Sequence, residues 1–209
     1  MFLGLTGGMG CGKSTALRFF AELGFHTLDS DRIVREEVLL DPEVAAAIGA
    51  RWPEVIEIRP TNSGRDDREA GTVRREALAA LVFGEGETAA DGRRWLEELV
   101  LPRVLARWQA AFAAEPTARW VVEAPLLFEK NLQKWFDFTV CVTASSTSQL
   151  SRLTERGLSP SFAGQRISKQ FPLAQKTELA DFVLSNDGTP EALRRQVVLL
   201  ADRLGNARR

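Results

Sequence analysis

Gly7, Gly12, Lys13 and Ser14 stand at the spacing G-x-x-x-x-G-K-[ST], inside the stretch GLTGGMGCGKST. These residue types suit one chemistry, the holding of a phosphate chain. The glycines let the backbone turn at positive φ and bring N–H groups close to phosphate oxygens. A helix starting at the end of the loop points its N-terminus at the same anion. Lys13 is placed to reach the β- and γ-phosphates, and the Ser14 hydroxyl to bind Mg²⁺. Gly8, Gly10, Cys11, Gly12, Lys13, Ser14 and Thr15 are therefore expected to surround ATP. Cys11 is expected to contribute backbone rather than thiol, since a reactive thiolate needs electropositive neighbours that sequence does not show.

Such a loop works only between a strand and a helix, and the chain supplies both. Residues 2–6 (FLGLT) read as a buried strand, 14–23 as a helix with Gly24 closing it, and 25–29 (FHTLD) as a second strand ending in acid. A helix over 30–40 follows, with Ser30 or Asp29 able to cap it. The sheet resumes with WVVEAP at 120–125, FTVCVT at 138–143 and FVLSN at 182–186. A helix over 147–156 follows a Ser/Thr cluster. The last helix opens on Thr189-Pro190-Glu191 and carries Leu193, Val197, Leu200 and Leu204 on one face. Strand–helix alternation of this kind predicts a five-stranded parallel sheet flanked by helices, an α/β fold of the P-loop NTPase type.

Between the second and third of these strands lies a long, mostly helical insertion. Helices are predicted from Pro42, over VRREALAALVF, and over GRRWLEELVLPRVLARWQAAFA. A polar tract at 59–71 reads as a loop or hairpin. The expected organisation is a nucleotide-binding core of residues 1–40 and 116–209 and an acceptor-binding insertion of 41–115.

Composition narrows the partners. The chain has 209 residues, 27 Lys and Arg against 28 Asp and Glu, one histidine and two cysteines. That balance gives no bulk attraction to nucleic acid or to an anionic membrane. The five tryptophans lack the basic interleaving of a nucleic-acid platform. His26 reads as a strand residue without partner ligands, and no apolar run approaches the ~20 residues that span a bilayer. The expected setting is the cytoplasm and the expected state a monomer.

The P-loop classes then separate by what else is present. No DxxG switch follows a strand of the predicted sheet, and there is no NKxD guanine reader. VVEAP, ending in Glu123, is the nearest approach to the acid-tipped strand of a motor ATPase. Compact kinases of small molecules remain. Within them, GLTGGMGCGKST, LDSD at 28–31, GTVRREALAALVF at 71–83, LEELVLP at 96–102, EAPLLFE at 123–129, QLSRLTERG, RISKQ and ADFVLSN together resemble the dephospho-coenzyme A kinase family, in order and almost end to end. Three departures are Leu101, where the family carries His before Pro, Cys11, where Ser is common, and the acid-rich tract at 65–69.

The resemblance implies transfer of the γ-phosphoryl group of ATP to the ribose 3′-hydroxyl of dephospho-coenzyme A. It implies Asp31 as the base, with Lys13 and Arg152 as catalytic cations and Asp29 as a second aid to Mg²⁺. Arg152 and Arg156 lie four apart, on one helix face. With Arg166 they are expected to clamp phosphates across a lid at 157–170. By the same resemblance Arg75, Pro125, Leu126, Phe128 and Arg166 are acceptor-site residues and Asn186 lies near the adenine, although core packing is the favoured reading for Leu126 and Leu127. Two rival readings keep the loop but change the outcome. One is a kinase of another acceptor such as a nucleoside monophosphate, and the other is a nucleotide-sensing binding protein with slow turnover.

Overall fold

Leu3, Leu5, Val121, Val122, Val140 and Val142 are fully buried, and they come from three short, almost continuously apolar runs. Strands covered on both faces need such runs, which is the signature of a parallel sheet sandwiched by helices. In the computed structural model, which describes residues 1–57, 71–159, 163–164, 167–168 and 170–206, these runs form β1 (Phe2–Gly7), β5 (Trp120–Glu123) and β6 (Phe138–Thr143). They pair in parallel with β2 (His26–Asp29) and β7 (Phe182–Ser185), in the order β2-β5-β1-β6-β7. The five expected strands are all present, each within two residues of its expected ends. The fold is the five-stranded parallel α/β sheet that the sequence predicts.

Register decides what gathers at the carboxyl edge. Leu5 of β1 pairs with Glu123 of β5, and Glu123 pairs in turn with Asp29 of β2. The loop after β1 therefore emerges beside two acid-tipped strand ends. In open α/β sheets this edge is where ligands bind.

Helix α1 (Lys13–Glu22) returns from the loop and ends where expected. Gly24 takes φ +79, its N–H bonds to Ala21 O, and the Phe25 N–H reaches Phe20 O. These are the paired bonds of a left-handed helix stop. Helix α2 (Ser30–Glu36) is shorter than expected and passes into a 3₁₀ turn at Val38–Leu40. The Ser30 hydroxyl donates to the backbone carbonyl of Glu123, so it ties β5 to α2 and does not cap the helix as the sequence suggested.

The chain divides into two compact units, Met1–Asp31 with Phe112–Arg209, and Arg32–Ala111. The sequence placed these boundaries at 40/41 and 115/116. In the first unit, helix α8 (Pro190–Asn206) packs on α1. Leu193, Val197, Leu200 and Leu204 are buried there with Phe19 and Phe20, so the predicted apolar face is the packed one. Thr189 Oγ1 accepts the Ala192 N–H at 3.3 Å, a cap worth about 1 kcal/mol. Helices α6 (Ser146–Glu155) and α7 (Leu173–Leu179) belong to the same unit.

The second unit holds α3 (Pro42–Arg51), α4 (Arg75–Phe83) and most of α5 (Glu87–Ala114). Asp41 caps α3 by accepting the Glu43 N–H at 2.8 Å. Two short strands, β3 (Ile56–Glu57) and β4 (Thr72–Val73), pair antiparallel. They flank the polar tract, whose residues 59–70 lie outside the described residues. Helix α5 runs through Pro102, which removes one N–H from the helical ladder. One turn back, the Arg103 guanidinium bonds to Leu99 O at 3.0 Å. Trp52 and Trp95 meet edge to face at 5.2 Å, Arg51 lies against both rings, and Arg51 pairs with Asp91 at 2.6 Å.

Candidate active site

The loop between β1 and α1 turns on glycines whose backbone conformation and close neighbours disfavour any side chain. Gly7, Gly10 and Gly12 all take positive φ, at +144, +79 and +92. A Cβ on Gly7 would stand 2.2 Å from Val142 O, and one on Gly12 would stand 2.1 Å from the Asn186 side-chain amide. The loop also bonds to itself, with the Cys11 N–H donating to Gly8 O at 3.3 Å and the Lys13 ammonium to Gly8 O at 3.1 Å. Lys13 is buried, so its charge is aimed into the loop and not into solvent. Ser14 is exposed, at the first turn of α1.

Neighbouring elements lock this shape from behind. Asn186, just past β7, is buried and donates its side-chain N–H to Cys11 O at 2.8 Å. The Arg152 guanidinium donates to Asn186 O at 2.7 Å and to Gly10 O at 3.3 Å. Gln149, one turn earlier on α6, is buried and anchored to Ala144 O at 2.9 Å. A Cβ on Gly8 would come within 2.9 Å of its side-chain oxygen. Asp187 accepts both the Ser145 N–H and the Ser148 hydroxyl, and these bonds hold its carboxyl below the usual range.

Cys11 is fully buried and belongs to the hydrophobic core. Burial raises its thiol pKa despite the nearby Lys13, so the side chain is a packing group. Its backbone N–H and carbonyl are both taken, by Gly8 and Asn186.

The carboxylates gather at the adjoining strand ends. Glu123 is buried, and burial lifts its carboxyl from an ordinary 4.5 to about 7. Lys13 acts against that rise, Asp29 and Asp31 reinforce it, and a hydrogen bond from the Ser14 hydroxyl lowers it again. Glu123 Oε2 is buried with no hydrogen-bond partner among the described residues. An ionisable group with a strongly shifted pKa, beside a phosphate loop, is a candidate for the working site. Glu123 is the residue that sequence reasoning left out of the site. Its signal was available as an apolar strand ending in acid. Asp29 is half-buried at the end of β2, and Asp31 is exposed in the first turn of α2. Among the described residues no group of three His, Cys, Asp or Glu side chains is spaced to enclose a metal ion.

Other expected site residues fall in several places. Pro125 and Leu126 are half-buried, while Leu127 and Phe128 are buried. Arg156 is exposed at the end of α6. Arg166 lies outside the described residues, as does part of the 157–170 stretch. Arg75 lines a cleft of about 560 Å³ in the second unit with Arg35, Glu36, Leu39, Leu40 and Val73.

Known proteins resemble this chain in sequence and fold. A family model described as dephospho-CoA kinase matches residues 1–191. The dephospho-CoA kinase of Thermosynechococcus vestitus is 34% identical over 197 residues, covering 93% of this chain and 90% of that one. Among solved structures, the Thermus thermophilus protein TT1252 superposes with a TM-score of 0.74 at 28% identity, over 97% of both chains. Dephospho-CoA kinase from Campylobacter jejuni shares the fold, with a TM-score of 0.65 at 21% identity over 100% of this chain and 98% of that one. The family match takes in the phosphate loop, all five strands of the parallel sheet and the start of α8. On that span, the chain belongs to the dephospho-CoA kinase family.

Proposed function

We propose that this protein transfers the γ-phosphoryl group of ATP to the ribose 3′-hydroxyl of dephospho-CoA, giving CoA and ADP. One observation carries the reading within the molecule. A phosphate loop and the acids Glu123, Asp29 and Asp31 come to the same edge of the sheet. The reaction needs both. A new O–P bond forms from the acceptor oxygen, the bond from Pγ to the β-phosphate oxygen breaks, and the hydroxyl proton leaves to a base.

Asp31 is proposed as that base. It lies just beyond β2 on the solvent-facing side of the acids, where an acceptor can approach. Lys13 and the loop N–H groups would hold the transferring phosphates, and Arg152 would add charge where the transition state spreads it. Arg156 and Asn186 would complete the ATP side. Pro125, Leu126, Phe128, Arg75 and Arg166 would serve the acceptor.

Ser14 and Glu123, with Asp29 beside them, would hold Mg²⁺. The unpartnered Glu123 Oε2 next to the Ser14 hydroxyl fits this, because Mg²⁺ takes few protein ligands and completes its shell with phosphates and water. When bound it offsets charge on the β- and γ-phosphoryl oxygens. Both cysteines are free and buried, which suits work in a reducing cytoplasm.

The test is ADP release from Mg·ATP with and without dephospho-CoA, following the acceptor's mass in the same reaction. One added phosphate per ADP is expected. An unmodified acceptor, with nucleoside monophosphates phosphorylated instead, would overturn the acceptor assignment.

A further inference from the structure

Lys176 is a lysine that the reaction above does not use, and it is fully buried. It sits on α7, in the polar run LAQKTEL, where a lysine ordinarily points into water. Its ammonium donates to the backbone carbonyl of Pro125 at 2.6 Å and pairs with Glu129 Oε1 at 2.8 Å. The same Pro125 carbonyl accepts the Thr6 hydroxyl at 3.4 Å, and the same Glu129 oxygen accepts the Phe171 N–H at 2.9 Å.

These bonds join places that matter. Thr6 immediately precedes Gly7, the first glycine of the phosphate loop, and Pro125 is two residues beyond Glu123. The ammonium thus fixes, from α7, the one carbonyl of the turn after β5 that also receives the Thr6 hydroxyl from the end of β1, behind the edge where phosphates and acids meet. Burial lowers the Lys176 pKa, and Glu129 acts against that. Stability alone does not account for such a pair, because well-packed apolar side chains of similar size commonly serve as well or better.

We infer that Lys176, held by Glu129, is a positioning residue that sets the spacing between the phosphate loop and the strand end carrying Glu123. Fully buried, it acts through the Pro125 carbonyl and not by contact with a ligand. A misplacement of about 1 Å in a phosphoryl-transfer site costs up to ~10²-fold in rate.

This role rests on the kinase reading, and wild-type enzyme assayed alongside separates the two. If wild type leaves dephospho-CoA unmodified, the reading has failed, whatever the variants do. The test is the double substitution Lys176→Met/Glu129→Met, which removes both charges together. Expected are a thermal midpoint close to wild type, Mg·ATP affinity within about threefold by calorimetry, and kcat at least tenfold lower, within the range such misplacement produces. Recovery of wild-type kcat together with the thermal midpoint would overturn the role and leave the pair purely architectural. Should the double Met variant not fold, Lys176→Gln/Glu129→Gln keeps a polar pair at the site and is judged by the same split between thermal midpoint and kcat.

Discussion

The side-chain amide of Asn186 donates to the backbone carbonyl of Cys11 at 2.8 Å, and a Cβ on Gly12 would stand 2.1 Å from that amide nitrogen. One side chain therefore both satisfies the loop and enforces the glycine beside it. Asn186→Ala leaves a buried carbonyl without its donor, at a cost of about 1–3 kcal/mol. Gly12→Ala adds the strain of φ +92, about 1–2 kcal/mol, and a clash with Asn186. The two substitutions should thus be strongly non-additive. Gly12→Ala is expected to weaken ATP binding more in the wild-type background than in Asn186→Ala. A double-mutant cycle on the ATP Kd checks it, and additive effects would mean that Asn186 does not press on the loop in solution.

Glu123 makes the stability of the free protein depend on pH. Its carboxyl titrates near an ordinary 4.5 when unfolded and about 7 when folded. Between those values the folded state holds a proton that the unfolded state has lost. Stability is therefore fully present below pH 4.5 and declines as pH rises through 7, by about 3 kcal/mol for this one group. Chelator-treated protein unfolded by urea between pH 5 and 8 should show that decline, and Glu123→Gln should flatten it. Parallel curves for the two proteins would show that the carboxyl is already ionised across the range.

Both thiols should be inert in the native state. Cys11 and Cys141 are fully buried, and burial raises both pKa values, Cys141 to about 11. Alkylation by iodoacetamide at pH 8 is expected only after denaturation in guanidinium. Rapid modification of Cys11 in native protein would mean that the loop opens far enough to expose its core-facing side.

Much of the frame was legible because its signals are local. FTVCVT is an apolar run between Asp137 and a Ser/Thr cluster, and β6 occupies those six residues, 138–143. The stop at Gly24 and the start at Thr189-Pro190 follow from single-residue preferences. The relations that build the site are not local. Glu123 gains its meaning from facing Asp29 across β5 and β2, a register that no stretch of sequence near either residue states. Ser30 looks like a helix cap until the structure turns its hydroxyl to the Glu123 carbonyl. Asn186 looks like a turn residue, and only the meeting of β7 with the loop makes it a latch. Lys176 was invisible for a similar reason. Its neighbours Gln175 and Thr177 mark a polar helix, and its burial depends on Pro125 and Glu129, which lie some fifty residues earlier.

Asp31 and Glu123 compete for one role, and substitution separates them. Asp31 is exposed at the first turn of α2, while Glu123 is buried beside Ser14 and Lys13. A base must reach the acceptor's hydroxyl, which favours the exposed carboxylate. A positioned base contributes ~10²–10⁴ in rate, so Asp31→Asn should lower kcat by that factor. The KM for ATP should hardly change, because Asp31 is proposed for the acceptor side. Glu123→Gln should instead weaken the response to Mg²⁺ concentration. If Asp31→Asn kept wild-type kcat while Glu123→Gln lost it even at saturating Mg²⁺, the proton would go to the buried carboxyl whose pKa lies near 7.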